Sequence, residues 1–585
     1  MTYDILIKNG RVIDGSGSPA FHADIGIRNG KIAAIGKLSG QLKGDAKRTI
    51  DAKGQVVSPG FIDTHTHYDA QVTWDPLCTY SCYHGATTVI YGNCSLGIAP
   101  VRPGTGERVA EFLSYVEAIP METLKTVKFT WETFGEYLDT IDHKLGVNVG
   151  AIVGHTPIRH YVMGSDSQGR DPTPAEIEQM KGHVKEGIES GALGLSFSFN
   201  NGHYDPQGTK IPSCWASEEE VFALAEVVGE LGSGVLQAAS GKEAEEKSRL
   251  MSRLSEKTGR PIIYNQLGQA LKNPTAWKEH IKLIDETMEK GIRAYPTCSP
   301  LTVTSDFTMH NCQMFRGVPS WHSVLMSNDP ALKLKSYADP EFRKAVHHDL
   351  IDWPSDIKGN NVLGKNWPDT IWVQKTKLEK NKRFEGLSVR EMAKVAEKDI
   401  IEAFFDLVVE EELDTAFLQG IRGFDPEVMS EILNYPNALI GLSDAGAHVQ
   451  FRGGYGYSSI LLGHWVRKHK IMSVEAAVKK LSFDLCQAFG IYDRGLLAPG
   501  MAADIVIFDP DTIRALPEEK VHDLPGGAWR MKQMAEGVMC TIVNGQVLIE
   551  DNKPTGALPG RVVRNSLYRE RKEAEAMARK AAVAA

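Results

Sequence analysis

The sequence contains no uninterrupted run of about 20 apolar residues, the length a membrane-spanning helix needs, so no membrane association is expected. Its first residues, MTYDILIKNGRVIDG, alternate polar and apolar side chains where a secretory leader would carry a continuous apolar stretch. Cysteine is sparse: eight in 585 residues, scattered as reduced thiols would be rather than spaced as a disulfide framework. Excess positive charge is also missing. The formal net charge is -9 with Lys and Arg dispersed, which excludes a general nucleic-acid surface. Internal repeats and low-complexity segments are absent. A cytoplasmic location is therefore expected, and a hydrophobic fraction of 42% is enough for a large core.

What is present has a clear order. Residues 1–56 read as short strands with tight turns; Asn9-Gly10 and Asn29-Gly30 each carry the two-residue hairpin signal. From residue 57 to 491 apolar strands alternate with amphipathic helices, the pattern of βα units around a parallel sheet. Eight strands are expected, at 57–63, 87–94, 147–155, 192–199, 234–240, 261–267, 293–299 and 438–445. Helix starts are legible between them: Thr173-Pro174 is an N-cap followed by a first-turn proline, and Ser217 with Glu220 reads as a capping box. This is an α/β chain, and eight such units predict a (β/α)₈ TIM-like barrel with its active site at the C-terminal ends of the strands. The seventh and eighth strands lie too far apart for one crossover. Residues 301–385, rich in Trp, Met, His and Pro, read as an insertion near the barrel mouth, either a lid or a surface excursion. Strand-and-turn patterning returns over 492–563, with Asn544-Gly545 as another hairpin turn, so both chain ends are expected to build one small β-sandwich. Residues 564–585 read as a terminal helix.

The barrel begins with Val57-Ser-Pro-Gly-Phe-Ile-Asp-Thr-His65-Thr-His67-Tyr-Asp69. Side chains two apart on a strand share a face, so His65 and His67 project together, as two metal ligands must. Imidazole suits zinc and its transition-metal neighbours. Strand eight ends in Gly441-Leu-Ser-Asp444-Ala-Gly-Ala-His448. An aspartate at the end of a buried apolar strand is costly unless paired or metal-bound; a helix cap or turn former is the other reading. Barrel closure places strands one and eight side by side, so His65, His67 and Asp444 can converge on one ion.

These segments resemble the amidohydrolase superfamily, and the D-aminoacylase (N-acyl-D-amino-acid deacylase) branch in particular. The similarity rests on P-G-F-I-D-T-H-T-H-Y-D, on Thr87-Thr-Val-Ile-Tyr-Gly-Asn-Cys94, on the G-L-S-D segment, and on Gly495 to Val506 as the return into the terminal sandwich. The resemblance implies that Cys94 is a metal ligand, although an apolar-flanked cysteine also fits a core position. It implies two roles for Asp444: metal ligand, and general base toward the water that the metal acidifies, passing its proton to the leaving nitrogen. It also implies a homo-oligomer, because barrels of this family often associate.

The departures matter as much. The branch carries a metal-binding histidine at the ends of strands five and six; here those strands read Gly234-Val-Leu-Gln237-Ala-Ala-Ser240 and Pro261-Ile-Ile-Tyr264-Asn265-Gln266. Strand four offers no lysine for a carboxylated bridge. One divalent metal per chain is therefore expected, zinc being the favoured ion, held by His65, His67, Asp444 and Cys94. Gln237, Tyr264 and Asn265 are candidates to fill the vacated space and contact substrate. His155, ending strand three, reads either as a carbonyl-polarising residue or as a hydrogen-bonded core histidine. Arg159 reads either as a partner for a substrate carboxylate or as a surface residue. His203 and Tyr204 follow strand four on the active face, and His448 is placed to orient Asp444. The expected activity is metal-dependent hydrolysis of a C–N amide bond in a small molecule resembling an N-acyl amino acid. A cyclic amide, lactone or other ester is the alternative substrate, and a binding-only barrel the alternative class.

Overall fold

The computed structural model describes residues 2–38, 46–200, 202–239, 244–269, 275–310, 312, 315, 318–327, 329–352, 367–423, 425–450 and 452–584. Ser240, at the expected end of strand five, and Asn366 in the expected insertion lie outside the described residues. The chain divides into two units, one of Met1–Leu267, His280–Leu301 and Ile432–Ala585, the other of Gly268–Glu279 and Thr302–Glu431. Among the described residues no helix is long and apolar enough to cross a membrane. None of the eight cysteines, all of them among the described residues, forms a disulfide.

In the first unit both chain ends join one nine-stranded sheet. Its order is Lys553–Pro554, Gln546–Glu550, Val538–Val543, Ile505–Phe508, Val56–Pro59, Tyr3–Val12, Phe21–Arg28 and Lys31–Gly36, with Ala46–Asp51 also on Tyr3–Val12. Asn29-Gly30 and Asn544-Gly545 are two-residue turns with positive φ throughout, 51° and 73° in one and 44° and 75° in the other, as the primed hairpin turns require. Asn9-Gly10 departs from expectation. The chain runs straight through it as one strand, and the register against Phe21–Arg28 shifts between Ile7 and Gly10. Gly10 lies against Val57, where a Cβ would sit 2.7 Å from a Val57 methyl, so the dipeptide bulges instead of turning. Val56–Pro59, of which 57–59 are expected in the first barrel strand, instead pairs antiparallel with Ile505–Phe508 in this sheet, and the next run starts at Phe61. Asp504 ties the sheet to the rest of the unit: one carboxylate oxygen accepts from Asn148 Nδ2 (2.9 Å) and from Arg494, the other from the Asn544 amide (2.7 Å).

All eight expected strand regions of the α/β part carry parallel pairs. Phe61–Asp63, Ala86–Tyr91 and Asn148–Ala151 pair in that order, and Val153–Gly154, Gly194–Ser198, Val235–Ala239, Ile262–Asn265, Ala294–Cys298 and Leu439–Ile440 follow. Leu442–Ala445 then pairs with His65–Thr66. Strand interiors such as Ile62, Ile90, Val235, Ile263 and Leu439 are buried, each contributing about 1.5–3 kcal/mol by leaving water. Helices alternate with the strands. Pro174–Glu189 opens with a complete Thr173/Glu176 capping box, whereas Ser217 caps Glu218–Glu230 through the Glu220 amide alone. The Glu220 carboxylate turns inward to His155 and Arg159, so the expected box is half made. The tail is helical over Ser566–Ala584.

The second unit holds a three-stranded antiparallel sheet, Val303–Phe307, Ala416–Arg422 and Ile371–Lys375, the second in the middle. Its tryptophans build its own core: Trp321 and Trp367 are buried against Phe315, Tyr337, Phe404 and Phe405. The unit runs on to Glu431, beyond residue 385.

Strand Ala86–Tyr91 ends at Gly92 in a left-handed conformation (φ 86°), where a Cβ would lie 1.9 Å from the Ile152 carbonyl oxygen. That contact is with backbone and cannot be relieved by a rotamer. Gly92→Ala is expected to lower the unfolding free energy by at least about 2 kcal/mol, read by urea denaturation. Wild-type stability would mean that the turn leading to Cys94 is not constrained in this way.

Candidate metal centre

Backbone pairing brings the first ligands together. Thr64 and His65 donate their amides to Gly441 O (2.7 and 3.0 Å), and His67 donates to Ala445 O (2.8 Å). His65 and His67 thus share a face, with ring centroids 5.3 Å apart, next to the end of the strand that carries Asp444. Asp444 itself takes a left-handed φ of 63°, which a short polar side chain tolerates. The third element is the turn after Gly92. Asn93 donates to Thr66 O and Ile90 O (both 3.1 Å) and accepts from Gln237, and Cys94 follows at φ 57°.

Asp444 Oδ1 lies 3.3 Å from His67 Nε2 and 3.8 Å from His65 Nε2, and Cys94 Sγ lies 3.6 Å from His65 Nε2. Zinc bonds of roughly 2.0–2.3 Å imply donor separations of about 3.3–3.8 Å, the range of these three distances. His65, His67 and Cys94 form one group of donors within 4.8 Å of one another, and His67, Glu117 and Asp444 form a second that shares His67. A second signal agrees. His65 is 3% and His67 1% exposed, yet His65 Nδ1 and both His67 ring nitrogens are buried without a hydrogen-bond partner. Buried polar atoms left in that state ordinarily have an ion or water to satisfy them.

The surrounding charges are arranged by burial. Burial pushes the Asp63 carboxyl up to about 8 and Glu117 up to about 7, so Asp63 is largely neutral at pH 7. Burial works against the Asp444 anion too, but its contact with His67 and the Arg452 guanidinium hold it well below the usual carboxylate range. Arg452 Nη2 donates to Asp444 Oδ2 at 2.6 Å. His65 is depressed to about 4 by burial and by the neighbouring His67 charge. His67 goes the other way: burial lowers it, but Glu117 and Asp444 outweigh that and raise it well above its ordinary value.

Glu117 and Arg452 are the residues that sequence reading missed. Glu117 ends the helix Gly106–Glu117, is 4% exposed, and places Oε1 3.6 Å from His67 Nδ1 and Oε2 3.9 Å from His448 Nε2. Its only sequence signal is a carboxylate in the last turn of a helix, opposed to the helix dipole and flanked by Val116 and Ala118.

Other expected residues divide. His203 is held through Nδ1 by Ser198 Oγ (2.8 Å), and burial followed by the charge of His67 depresses it to about 4, so its ring is neutral at pH 7. Tyr204, next on the loop, is exposed. Asn265 Oδ1 accepts from Thr297 (2.9 Å), and Asn265 also interacts with His65. Tyr264 turns the other way, with its hydroxyl 3.1 Å from Ser252 on the helix Ala244–Thr258. Gln237 is buried and donates through Nε2 to Asn93 in that turn, while its Oε1 is buried without a hydrogen-bond partner.

His155 and Arg159 are not presented to substrate. His155 Nε2 contacts Glu220 Oε1 (2.9 Å) and Nδ1 contacts Ser213 Oγ (3.1 Å), so both ring nitrogens are occupied. Arg159 is wholly buried, with Nε on Glu220 (2.9 Å), Nη2 on Arg170 O (2.9 Å) and Nη1 on Ser167 O. The expected carbonyl-polarising and carboxylate-binding roles are corrected on this ground: both His155 ring nitrogens and all three Arg159 guanidinium nitrogens have partners in a buried cluster.

Comparison with known proteins gives a consistent picture. The amidohydrolase family model matches residues 48–339 and 385–549. D-aminoacylase of Alcaligenes xylosoxydans xylosoxydans is 26% identical over 566 residues, 96% of this chain and 97% of its own. A crystal structure of N-acyl-D-glutamate deacylase from Bordetella bronchiseptica, complexed with zinc and a phosphonate inhibitor that mimics the tetrahedral intermediate, superposes with a TM-score of 0.65 at 23% identity, covering 96% of this chain and 100% of that one. A structure of D-aminoacylase, studied for its binuclear metal centre, gives 0.64 at 25% identity, with 96% and 99% covered.

Removing Glu220 would leave a buried guanidinium without its counter-charge and His155 Nε2 without its partner. Glu220→Ala is expected to cost about 3–5 kcal/mol of stability by chemical denaturation, while the exposed Glu219→Ala costs under about 0.5 kcal/mol. Equal losses would show that the cluster does not hold the helix Glu218–Glu230 in place.

Proposed function

Because the chain belongs to the amidohydrolase family, we propose that it is a metal-dependent hydrolase of C–N amide bonds other than peptide bonds, deacylating an N-acyl amino acid or similar amide. The two donor groups that share His67, His65–His67–Cys94 and His67–Glu117–Asp444, with Asp444 Oδ1 3.3 and 3.8 Å from the two imidazoles, are the observation that carries this reading. The parallel pairings support a closed (β/α)₈ barrel over residues 57–491, and the two chain ends a small β-sandwich over 1–56 and 492–563. The four donors would hold one divalent cation per chain, and their N, S and O set favours zinc.

When bound, that cation supplies Lewis acidity, polarising an amide carbonyl and lowering the pKa of water from 15.7 to about 7. Asp444 does the proton work. Its carboxylate, fixed by Arg452, stays ionised across the neutral range and is a weak base, so it takes a proton only from water already acidified. Protonated Asp444 then donates to the leaving nitrogen. His203, neutral and oriented by Ser198, is our candidate for the carbonyl oxygen in place of His155. Asn265 contributes to the side of the site where strand six carries no histidine.

Asp444→Asn is expected to lower turnover of N-acyl-D-amino acids by about 10²–10⁴-fold, with the circular dichroism spectrum unchanged. Wild-type turnover in that variant would contradict the mechanism. N-acyl-L-amino acids and small lactones assayed in parallel separate the amide reading from an ester one.

A further inference from the structure

Glu117 shares with His67 and Asp444 a group of donor atoms within 4.8 Å of one another, and it is placed with unusual cost. It is 4% exposed and stands at the C-terminal end of a twelve-residue helix, where the dipole disfavours a negative charge. Its two carboxylate oxygens face two histidines: Oε1 faces His67 Nδ1 at 3.6 Å and Oε2 faces His448 Nε2 at 3.9 Å. Its own carbonyl oxygen accepts the His448 amide at 2.5 Å, so helix end and strand-eight loop are tied together at this residue. His67 presents opposite ring edges to two carboxylates, Nε2 to Asp444 at 3.3 Å and Nδ1 to Glu117. The His67 ring is 1% exposed with neither nitrogen otherwise partnered. A ligating imidazole ordinarily donates its far N–H to a carboxylate, which fixes tautomer and ring orientation; losing that partner costs about 10–100-fold in metal affinity. Reaching hydrogen-bond length here needs a shift well under an ångström.

We propose that Glu117 is the positioning residue of the metal centre: it accepts the Nδ1 proton of His67, commits Nε2 to the ion beside Asp444, and links that ligand to His448 on the loop after strand eight. This rests on the metal-centre reading above. It assigns a functional role to the helix Gly106–Glu117, which lies outside the barrel strands, and Glu117 is not itself a ligand.

The test uses the full chain reconstituted with Co(II), comparing wild type with Glu117→Gln, Glu117→Asp and Glu117→Ala. Three readouts apply: Co(II) affinity by chelator competition, the visible d–d spectrum, and the hyperfine-shifted exchangeable imidazole N–H signals in proton NMR. Glu117→Ala is expected to bind Co(II) about 10–100-fold more weakly, with Glu117→Asp recovering part of the loss. In Glu117→Gln one N–H signal is expected to shift or exchange faster, while the d–d spectrum keeps its wild-type intensity. If Glu117→Ala does not fold, the near-isosteric Glu117→Gln carries the test. A changed d–d intensity in Glu117→Gln would make Glu117 a ligand and overturn the proposal. Unchanged affinity and N–H signals in every variant would overturn it as well. Wild-type protein that takes up no Co(II) would overturn the metal-centre reading, and this inference with it.

Discussion

Two short parallel segments, His65–Thr66 and Leu442–Ala445, set the geometry on which the chemistry depends. Gly441 O accepts two amides from the first strand and Ala445 O accepts the His67 amide. These bonds fix the height of Asp444 relative to both imidazoles. The third support, the Gly92-Asn93-Cys94 turn, is locked from two sides: by the Ile152 carbonyl, which leaves no room for a side chain at Gly92, and by the Asn93 side chain, which donates to Thr66 O on the first strand and to Ile90 O on its own. Main-chain hydrogen bonds from three strands thus converge on one small volume. Few side-chain rotamers remain to be chosen there.

That volume is electrostatically expensive. Asp63, Glu117 and Asp444 are all desolvated near two imidazoles. The raised Asp63 carboxyl lowers the cost by staying neutral, and Arg452 lowers it by pairing with Asp444. A divalent cation among the four donors would offset what is left, and it would satisfy nitrogens that are otherwise orphaned. Away from the centre, His155, Glu220 and Arg159 form a separate buried cluster in which every ring and guanidinium nitrogen has a partner. The two clusters use similar residue types for opposite ends: one leaves ring nitrogens without partners, the other gives each nitrogen one.

This contrast explains what the amino-acid order revealed. Strand period and turn signals located all eight parallel strand regions, and the H-x-H spacing with the strand-eight aspartate pointed to His65, His67 and Asp444, because each lies at the end of a strand whose register is set locally; Cys94 was indicated by the resemblance to the D-aminoacylase branch. His155 and Arg159 looked like site residues for the same reason. Their partner Glu220 sits a helix away and was read as an N-terminal cap, so the cluster that occupies them was invisible in one dimension. Glu117 was missed because its importance arises only when a helix end meets strands one and eight. Residues 57–59 misled in a similar way: an apolar run that leads into the parallel strand Phe61–Asp63 was claimed instead by Ile505–Phe508, about 450 residues later. Asn9-Gly10 has a good hairpin signature, but its strand continues because pairing with Phe21–Arg28 and contact with Val57 favour a bulge.

The most direct test of the account is a metal titration of protein stripped with a chelator, following hydrolysis of an N-acyl-D-amino acid as Zn(II) is added. The account predicts negligible turnover in the stripped protein and recovery that reaches its plateau at one equivalent per chain. Full turnover in the stripped protein, or none at any zinc level across N-acyl-D- and N-acyl-L-amino acids, would contradict it.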